Sequence, residues 1–254
     1  MKRILLCIAY DGTEYAGFQL QKNALTIEEA VNKALLALTG ESLAISGASR
    51  TDAGVHALGN LAVFDTESRI PPEKFCYALN ERLPEDIRIQ WSKEVGSGFH
   101  PRKMKSRKTY EYRILNRPVS EPNIRRNTLH YHYPLDAEAM NEAAACFLGE
   151  HDFTSFASIH STAKTRVRTI YESFLKKEGE LLTFHVKGSG FLYNMVRIMA
   201  GTLLEVGSGK RKSSDIPAIL EARDRQLAGP TAPAHALTLI SIEPETQEPG
   251  VSLQ

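Results

Sequence analysis

The chain has 254 residues, 42% of them hydrophobic and 24% charged, with a formal net charge of +1, which is ordinary for a soluble globular protein and long enough for one large domain or two small ones. No apolar run approaches membrane-spanning length, and Met1-Lys2-Arg3 runs straight into a strand-like Ile4–Tyr10 with no cleavage site after it, so the expected location is cytoplasmic. Cys7, Cys76 and Cys146 are far apart and odd in number, which argues against a disulfide framework; each lies in an apolar setting and reads as a buried thiol.

Residues 3–10 read as a first strand, ending at the turn signal Asp11-Gly12-Thr13. Tyr15–Gln21 has no clean period and is expected as loop. Thr26-Ile27-Glu28-Glu29 is a capping box, with Thr26 as N-cap and Glu29 reaching back. Ile27, Ala30, Val31, Ala34, Leu35 and Leu38 follow at helical spacing, and Gly40 supplies the stop. The short apolar runs Leu43-Ala44-Ile45 and Leu61-Ala62-Val63-Phe64 read as strands on either side of a loop. Pro71-Pro72-Glu73 opens a second helix, which Pro84 closes, and Ile87–Trp91 alternates as a strand.

That order, β-α-β-β-α-β, is the ferredoxin-like arrangement. Past Gly96-Ser97-Gly98 it repeats loosely. Strands fit residues 108–116 and 128–133, a helix runs from Asp136 to Leu148, and strands fit 166–176 and 181–187. Helices near 191–206 and 213–222 and a strand at 236–242 complete the pattern. The organisation expected is an N-terminal α/β half over residues 1–98, a C-terminal α/β half over 99–243 and a flexible tail over 244–254.

Between the two short strands, Ala48 to His56 holds a carboxylate, a guanidinium, an imidazole and two hydroxyls, with Gly47 and Gly54 for tight turning. Loops held by rigid strands are where catalytic groups tend to sit. Thr51 and Ala53 are small and leave Asp52 within reach of a bulky substrate, and Arg50 lies on the same side if the backbone is extended. An ionised Asp in a closed site is costly to desolvate, and a neighbouring guanidinium keeps it charged. The pattern by itself also allows an Arg–Asp pair that ties down a loop, or an Asp that caps a turn.

The small net charge hides a basic middle. Between His100 and Arg126 stand Arg102, Lys103, Lys105, Arg107, Lys108, Arg113, Arg117, Arg125 and Arg126, against Glu111 and Glu121. Phe99, Tyr110 and Tyr112 interleave with them, a footprint that suits an RNA backbone and its bases. On that reading Lys103, Lys105, Arg107 and Lys108 face RNA phosphates; the alternative is a solvated strand face with lysines guarding an edge. Farther on, Phe191–Gly207 is apolar on most faces and is expected to be buried, so Arg197 within it needs a carboxylate partner, either Glu205 or an Asp. Gly207-Ser208-Gly209-Lys210 lacks the upstream Gly and following Ser/Thr of a P-loop, and His130-Tyr131-His132 has no Cys or carboxylate nearby in sequence to complete a zinc set.

Arg50-Thr51-Asp52-Ala53-Gly54-Val55-His56-Ala57 resembles the signature loop of the TruA family of tRNA pseudouridine synthases, with Ser49 where the family form usually has Gly. In that family the Asp of the motif is the essential catalytic residue, which implies Asp52. Met195-Val196-Arg197 resembles a motif whose Arg salt-bridges that Asp, although Tyr193 and Asn194 stand where the family more often has His. Lys108–Arg113 is similar to a paired-Tyr strand whose first Tyr stacks on the target base, which implies Tyr110. Phe99-His100-Pro101-Arg102 resembles a stretch placed near bound RNA. Gly229-Pro230-Thr231-Ala232-Pro233-Ala234 matches a family segment, with His235-Ala236 in place of the usual Glu-Gly, and implies an apolar contact from Leu237 to the uracil.

The resemblance implies an α+β pseudouridine-synthase fold: two ferredoxin-like (RRM-like) halves joined in one mixed, mostly antiparallel sheet with a central active-site cleft. It implies an isomerase that converts uridine to pseudouridine in the anticodon stem-loop of tRNA, working as a homodimer with no cofactor and no metal. Asp52, Tyr110 and Arg197 are the expected catalytic residues. Arg50, Thr51, His56, Phe99, His100, Arg102 and Leu237 are expected to contact the substrate. Two other readings stand beside it: an RNA-directed N-glycosidase, which would need a second carboxylate such as Asp11, and a non-catalytic RNA-binding protein, for which no close RNP1 motif is present.

Overall fold

Alternating residues become strands and helical spacings become helices in the computed structural model of the chain, which describes residues 1–245. The strands are β1 (Lys2–Tyr10), β2 (Ser46–Gly47), β3 (His56–Thr66), β4 (Ile87–Val95), β5 (Ser106–Asn116), β6 (Leu129–Tyr131), β7 (Gly149–Asp152), β8 (Val167–Glu178), β9 (Leu181–Gly188) and β10 (Leu237–Pro244). The helices are α1 (Ile27–Thr39), α2 (Phe75–Asn80), α3 (Ala137–Ala145), α4 (Met195–Gly207) and α5 (Asp215–Ala222). The chain divides into two compact units, one of Met1–Ser106 with the chain from Leu239 on, the other of Arg107–Thr238.

In the first unit β1 is the central strand, and its apolar run Ile4–Ile8 is buried on both faces. β3 and β4 flank it antiparallel, and β2 pairs with β3, which gives the strand order β4-β1-β3-β2 of a ferredoxin-like sheet. α1 buries Ile27, Val31, Ala34 and Leu35, burial worth on the order of 1.5–3 kcal/mol for each of the larger side chains. It ends at Gly40, in the left-handed conformation, whose N–H donates to the Leu36 carbonyl.

Two expectations are corrected here. The capping box is half formed: Thr26 Oγ1 accepts from the Glu29 N–H at 3.3 Å, but the Glu29 carboxylate pairs with Lys33 at 2.6 Å instead of reaching back. The strand expected at Leu43-Ala44-Ile45 lies later, at Ser46–Gly47 opposite Val63 and Ala62. The Ile45 N–H is taken by Asn32 Oδ1 of α1 at 2.9 Å, so that part of the segment is tied to the helix.

In the second unit β9 lies between β5 and β8, all antiparallel, with β7 outside β8 and β6 parallel to β5. Asp136 caps α3, its Oδ1 accepting from the Glu138 and Ala139 amides. α3 stops at Ala145, short of the expected Leu148, and Gly149–Asp152 forms the unforeseen edge strand β7. Cys146, expected as a buried thiol, is half-buried. α4 is buried on most faces, as its composition predicts, but begins at Met195 and not Phe191, because Asn194 stands at φ 61°. β10 continues through Pro244, and the Glu245 N–H donates to the Lys105 carbonyl at 3.0 Å; the rest of the expected tail lies outside the described residues. Among the described residues no helix is long and apolar enough to cross a membrane.

The half-formed cap makes a measurable distinction. Thr26→Ala should lower stability by about 1 kcal/mol, because it removes the acceptor for a helix N-terminal amide. Glu29→Gln should cost only about 0.3–0.5 kcal/mol, since it removes a partly exposed i,i+4 pair. Urea midpoints of the two variants check this.

Candidate active site

The loop from Ala48 to Val55 is held from three sides. Asn60, with no exposed surface on β3, grips it by both backbone groups: its Oδ1 accepts from the Ser49 N–H at 3.2 Å and its Nδ2 donates to the Ser49 carbonyl at 2.9 Å. The same Nδ2 donates to the Tyr10 hydroxyl at 3.2 Å, and that hydroxyl shares a hydrogen bond with Thr51 Oγ1 at 2.7 Å. From the segment after β1, the Phe18 N–H donates to the Thr51 carbonyl at 3.1 Å, and the Gly54 N–H donates to the Tyr15 carbonyl at 3.3 Å. The Tyr15 side chain is itself fixed, donating to Asp86 at 2.7 Å, and burial followed by that carboxylate pushes its phenol well above the usual range.

Asp52 stands at the tip of this frame. Its carbonyl accepts from the Val55 N–H at 3.1 Å, closing a turn in which Gly54 has φ 76°, the left-handed conformation a type II turn requires at that place. The backbone of Asp52 is therefore fixed, while its side chain is half-buried, with the exposed Arg50 and Ala53 nearby in the chain. Thr51 is buried and its hydroxyl is engaged by Tyr10. His56 is not a loop residue but the first of β3, and it is buried. Its Nδ1 lies 3.1 Å from both the Gly12 N–H and Asp11 Oδ1. One nitrogen cannot serve both at once: without a hydrogen, Nδ1 accepts from Gly12; carrying one, it donates to Asp11.

The second unit carries the other expected groups. Tyr110 on β5 is 7% exposed and meets the Phe191 ring edge-on, with centroids 5.1 Å apart. Leu237 opens β10 and is buried. The guanidinium of Arg197 is oriented on two edges: Nε donates to the Ala232 carbonyl at 2.7 Å and Nη1 donates to Asn194 Oδ1 at 2.9 Å. Glu205, one of its expected partners, is instead engaged by Arg211 at 3.0 Å. Tyr112, fully buried, donates to the Pro233 carbonyl at 3.0 Å; burial pushes its phenol up, with the charge of Arg197 opposing.

The stretch after β4 is anchored at several points. Arg3 forms a two-pronged pair with Asp65 at 2.7–2.8 Å, holding that carboxyl below its ordinary range, and its Nη1 donates to the Phe99 carbonyl at 2.9 Å. His100 Nδ1 accepts from the Arg102 N–H, and Arg102 Nη2 donates to Ser46 Oγ at 3.0 Å, which docks this stretch against β2. Arg102, Lys103, Lys105 and Arg107 are exposed and Lys108 is half-buried. Arg107 lies over the Tyr171 ring, 4.5 Å from its centroid. Arg117, counted in the basic middle, faces Glu121 and Glu180 instead. Among the described residues no group of three or more His, Cys, Asp and Glu is placed to hold a metal ion.

Three residues that matter to this geometry were not singled out from the sequence: Asn60, Tyr10 and Ala232, the last through its carbonyl; Asn194 was noted without a role. Asn60 carries a legible signal, as a carboxamide within the β3 segment Ala57–Phe64 that is otherwise apolar or glycine. Asn60→Ala should cost about 3 kcal/mol, since it strands both backbone groups of Ser49 in a buried setting. Tyr10→Phe should cost about 1 kcal/mol, for one hydroxyl. Denaturant midpoints of the purified variants check both.

A family model described as tRNA pseudouridine synthase matches residues 6–102 and 143–243. The tRNA pseudouridine synthase A of Acetivibrio thermocellus is 49% identical over 242 residues, covering 95% of this chain and 99% of that one. Those of Thermoanaerobacter sp. strain X514 and Brevibacillus brevis are 45% and 46% identical, over 95% and 94% of this chain and 99% and 98% of theirs. With the model matched on both sides of the basic middle and such relatives aligned almost end to end, the chain belongs to the TruA family of tRNA pseudouridine synthases.

Proposed function

We propose that the protein isomerises uridine to pseudouridine in the anticodon stem-loop of tRNA, with Asp52 as the catalytic carboxylate. The observation that carries this reading is the Arg50–His56 motif standing on a backbone braced by Asn60, Tyr10 and Phe18, in a chain of this family. The reaction breaks the N-glycosidic bond, turns the uracil and rejoins it to the sugar through C5. The proton leaving C5 balances the one gained at N1, so nothing is oxidised and no co-reactant is consumed.

The target base must leave its stack to reach a carboxylate on a loop. Tyr110 and Leu237 are assigned to the two faces of the uracil, an assignment supported by Tyr110 being held edge-on by Phe191. Arg197 is assigned as the cation that keeps Asp52 ionised, supported by the two-edged fixing of its guanidinium and by the engagement of Glu205 elsewhere. Asp52 then acts as a nucleophile at the sugar or the base, or as the base that starts elimination. Arg50, Thr51, His56, Phe99, His100 and Arg102 are assigned to the substrate surface, Thr51 and His56 through the shape they give the loop. The working form in this reading is a cytoplasmic homodimer with one tRNA contacting both subunits.

Asp52→Asn should abolish pseudouridine formation while leaving tRNA affinity unchanged, because charge is removed and shape kept. Pseudouridine mapping of tRNA incubated with the wild type and the variant checks it. Release of free uracil would point to an N-glycosidase, and unaltered but bound tRNA to a binding protein. Appreciable turnover by a homogeneous variant preparation would remove Asp52 from the chemistry.

Lys103 and Lys105 are exposed and supply a separate test. If they neutralise tRNA phosphates, replacing both with Ala should flatten the slope of log affinity against log salt by about one unit per lost contact. Turnover at low salt should survive. An unchanged affinity and slope would make this stretch a solvated face.

A further inference from the structure

The turn-rich segment Ala228–Pro233 closes onto α4 at unusually short range. Gly201, in the middle of that helix, is where the Pro230 carbonyl comes in: a Cβ built on Gly201 would stand 1.8 Å from that oxygen. Next to it Thr202, with no exposed surface, bridges two partners. Its Oγ1 donates to the Ile198 carbonyl at 2.8 Å and accepts from the Gly229 N–H at 2.9 Å. One turn toward the start of the helix, the Ala232 N–H donates to the Arg197 carbonyl at 3.1 Å, and the Ala232 carbonyl receives Arg197 Nε at 2.7 Å. The acceptor that orients Arg197 thus belongs to a segment whose seat is made by Gly201 and Thr202.

The cost of such an arrangement is visible locally. Glycine inside a helix is unfavourable by about 1 kcal/mol relative to alanine. Here a methyl group has no room, since backbone atoms and not a flexible side-chain end occupy the space. The seat also fixes Pro233 beside Ala232, where the buried Tyr112 hydroxyl donates to its carbonyl.

We propose that Gly201 and Thr202 are positioning residues: by seating residues 229–232 against α4, they set the direction in which the Arg197 guanidinium points. This rests on the assignment of Arg197 as the cation that keeps Asp52 ionised. Displacing the segment by an ångström turns the guanidinium, and misplacements of that size cost on the order of 100-fold in rate. A poorly directed cation also supports the carboxylate less well. The Asp52 carboxyl is then easier to protonate, and the acid limb of the rate profile moves to higher pH.

The test compares Gly201→Ala, Thr202→Val and Thr202→Ser with the wild type. Gly201→Ala should lower kcat about 100-fold with tRNA affinity unchanged, and move the acid limb of kcat to higher pH. Thr202→Val, nearly the same shape without the hydroxyl, should show the same change in smaller measure; Thr202→Ser, which keeps the hydroxyl, should restore most of the rate. The Arg197 Nε–H signal, followed by 15N-edited NMR of the protein without tRNA, should lose its protection from exchange in Gly201→Ala and Thr202→Val. If Gly201→Ala does not fold, Thr202→Val and Thr202→Ser decide. Folded Thr202→Val with wild-type kcat, pH profile and Nε–H protection would overturn the proposal. A wild type that makes no pseudouridine in tRNA would overturn the functional reading, while the NMR comparison would still decide whether the seat orients Arg197.

Discussion

A single buried carboxamide carries much of the order of the loop around Asp52. Asn60 has no exposed surface, and it satisfies both backbone groups of Ser49 and the Tyr10 hydroxyl at once. A loop that must present a half-buried carboxylate has few ways to satisfy its own polar backbone from within. Borrowing a side chain from the adjacent strand removes that difficulty without covering Asp52. The hydroxyl relay from Asn60 through Tyr10 to Thr51 extends the same solution one residue closer to the carboxylate. Buried networks of this kind are favourable only when fully satisfied, which ties the geometry of the loop to the register of β1 on β3.

The second unit meets a related problem with main-chain atoms. Arg197 lies in a helix buried on most of its faces, where an undirected guanidinium would be costly. A carbonyl from Ala232 and the side-chain oxygen of Asn194 help set its direction. Asn194 takes the left-handed conformation, which asparagine tolerates better than most residues, and this turns its side chain back over the first turn of α4.

Much of the local structure was legible because it rests on local chemistry. The Thr26 cap, the Gly40 stop, the buried run of β1 and the strand order of the first unit all follow from residue types at fixed spacing. What was not legible depends on contacts far apart in the chain. β2 is two residues long and displaced by the Asn32–Ile45 bond, and β7 is built from Gly-Glu-His-Asp, which shows no apolar alternation. Reading β3 from its apolar run Leu61–Phe64 hid Asn60 just outside it. Residue types pointed to the loop around Asp52, but Tyr110 and Leu237 stood out only through resemblance to the family, since a tyrosine on a strand and a leucine at a strand start have ordinary structural uses.

The first unit is assembled from both ends of the chain. Its sheet includes β10 from Leu239 on, which lies beside β3; an added Cβ at Gly59 would come within 2.8 Å of the Ile240 carbonyl, and Glu245 is tied to Lys105. During synthesis on a ribosome, residues 1–106 are complete long before that strand emerges, and part of the outer edge of β3 waits unpaired while the intervening 132 residues, from 107 to 238, are made. An unpaired edge beside a central apolar strand is a template for wrong partners. The late strand therefore acts as a closing step, and a chain that stalls or is cut before residue 239 exposes that edge at the strand which carries Asn60 and His56.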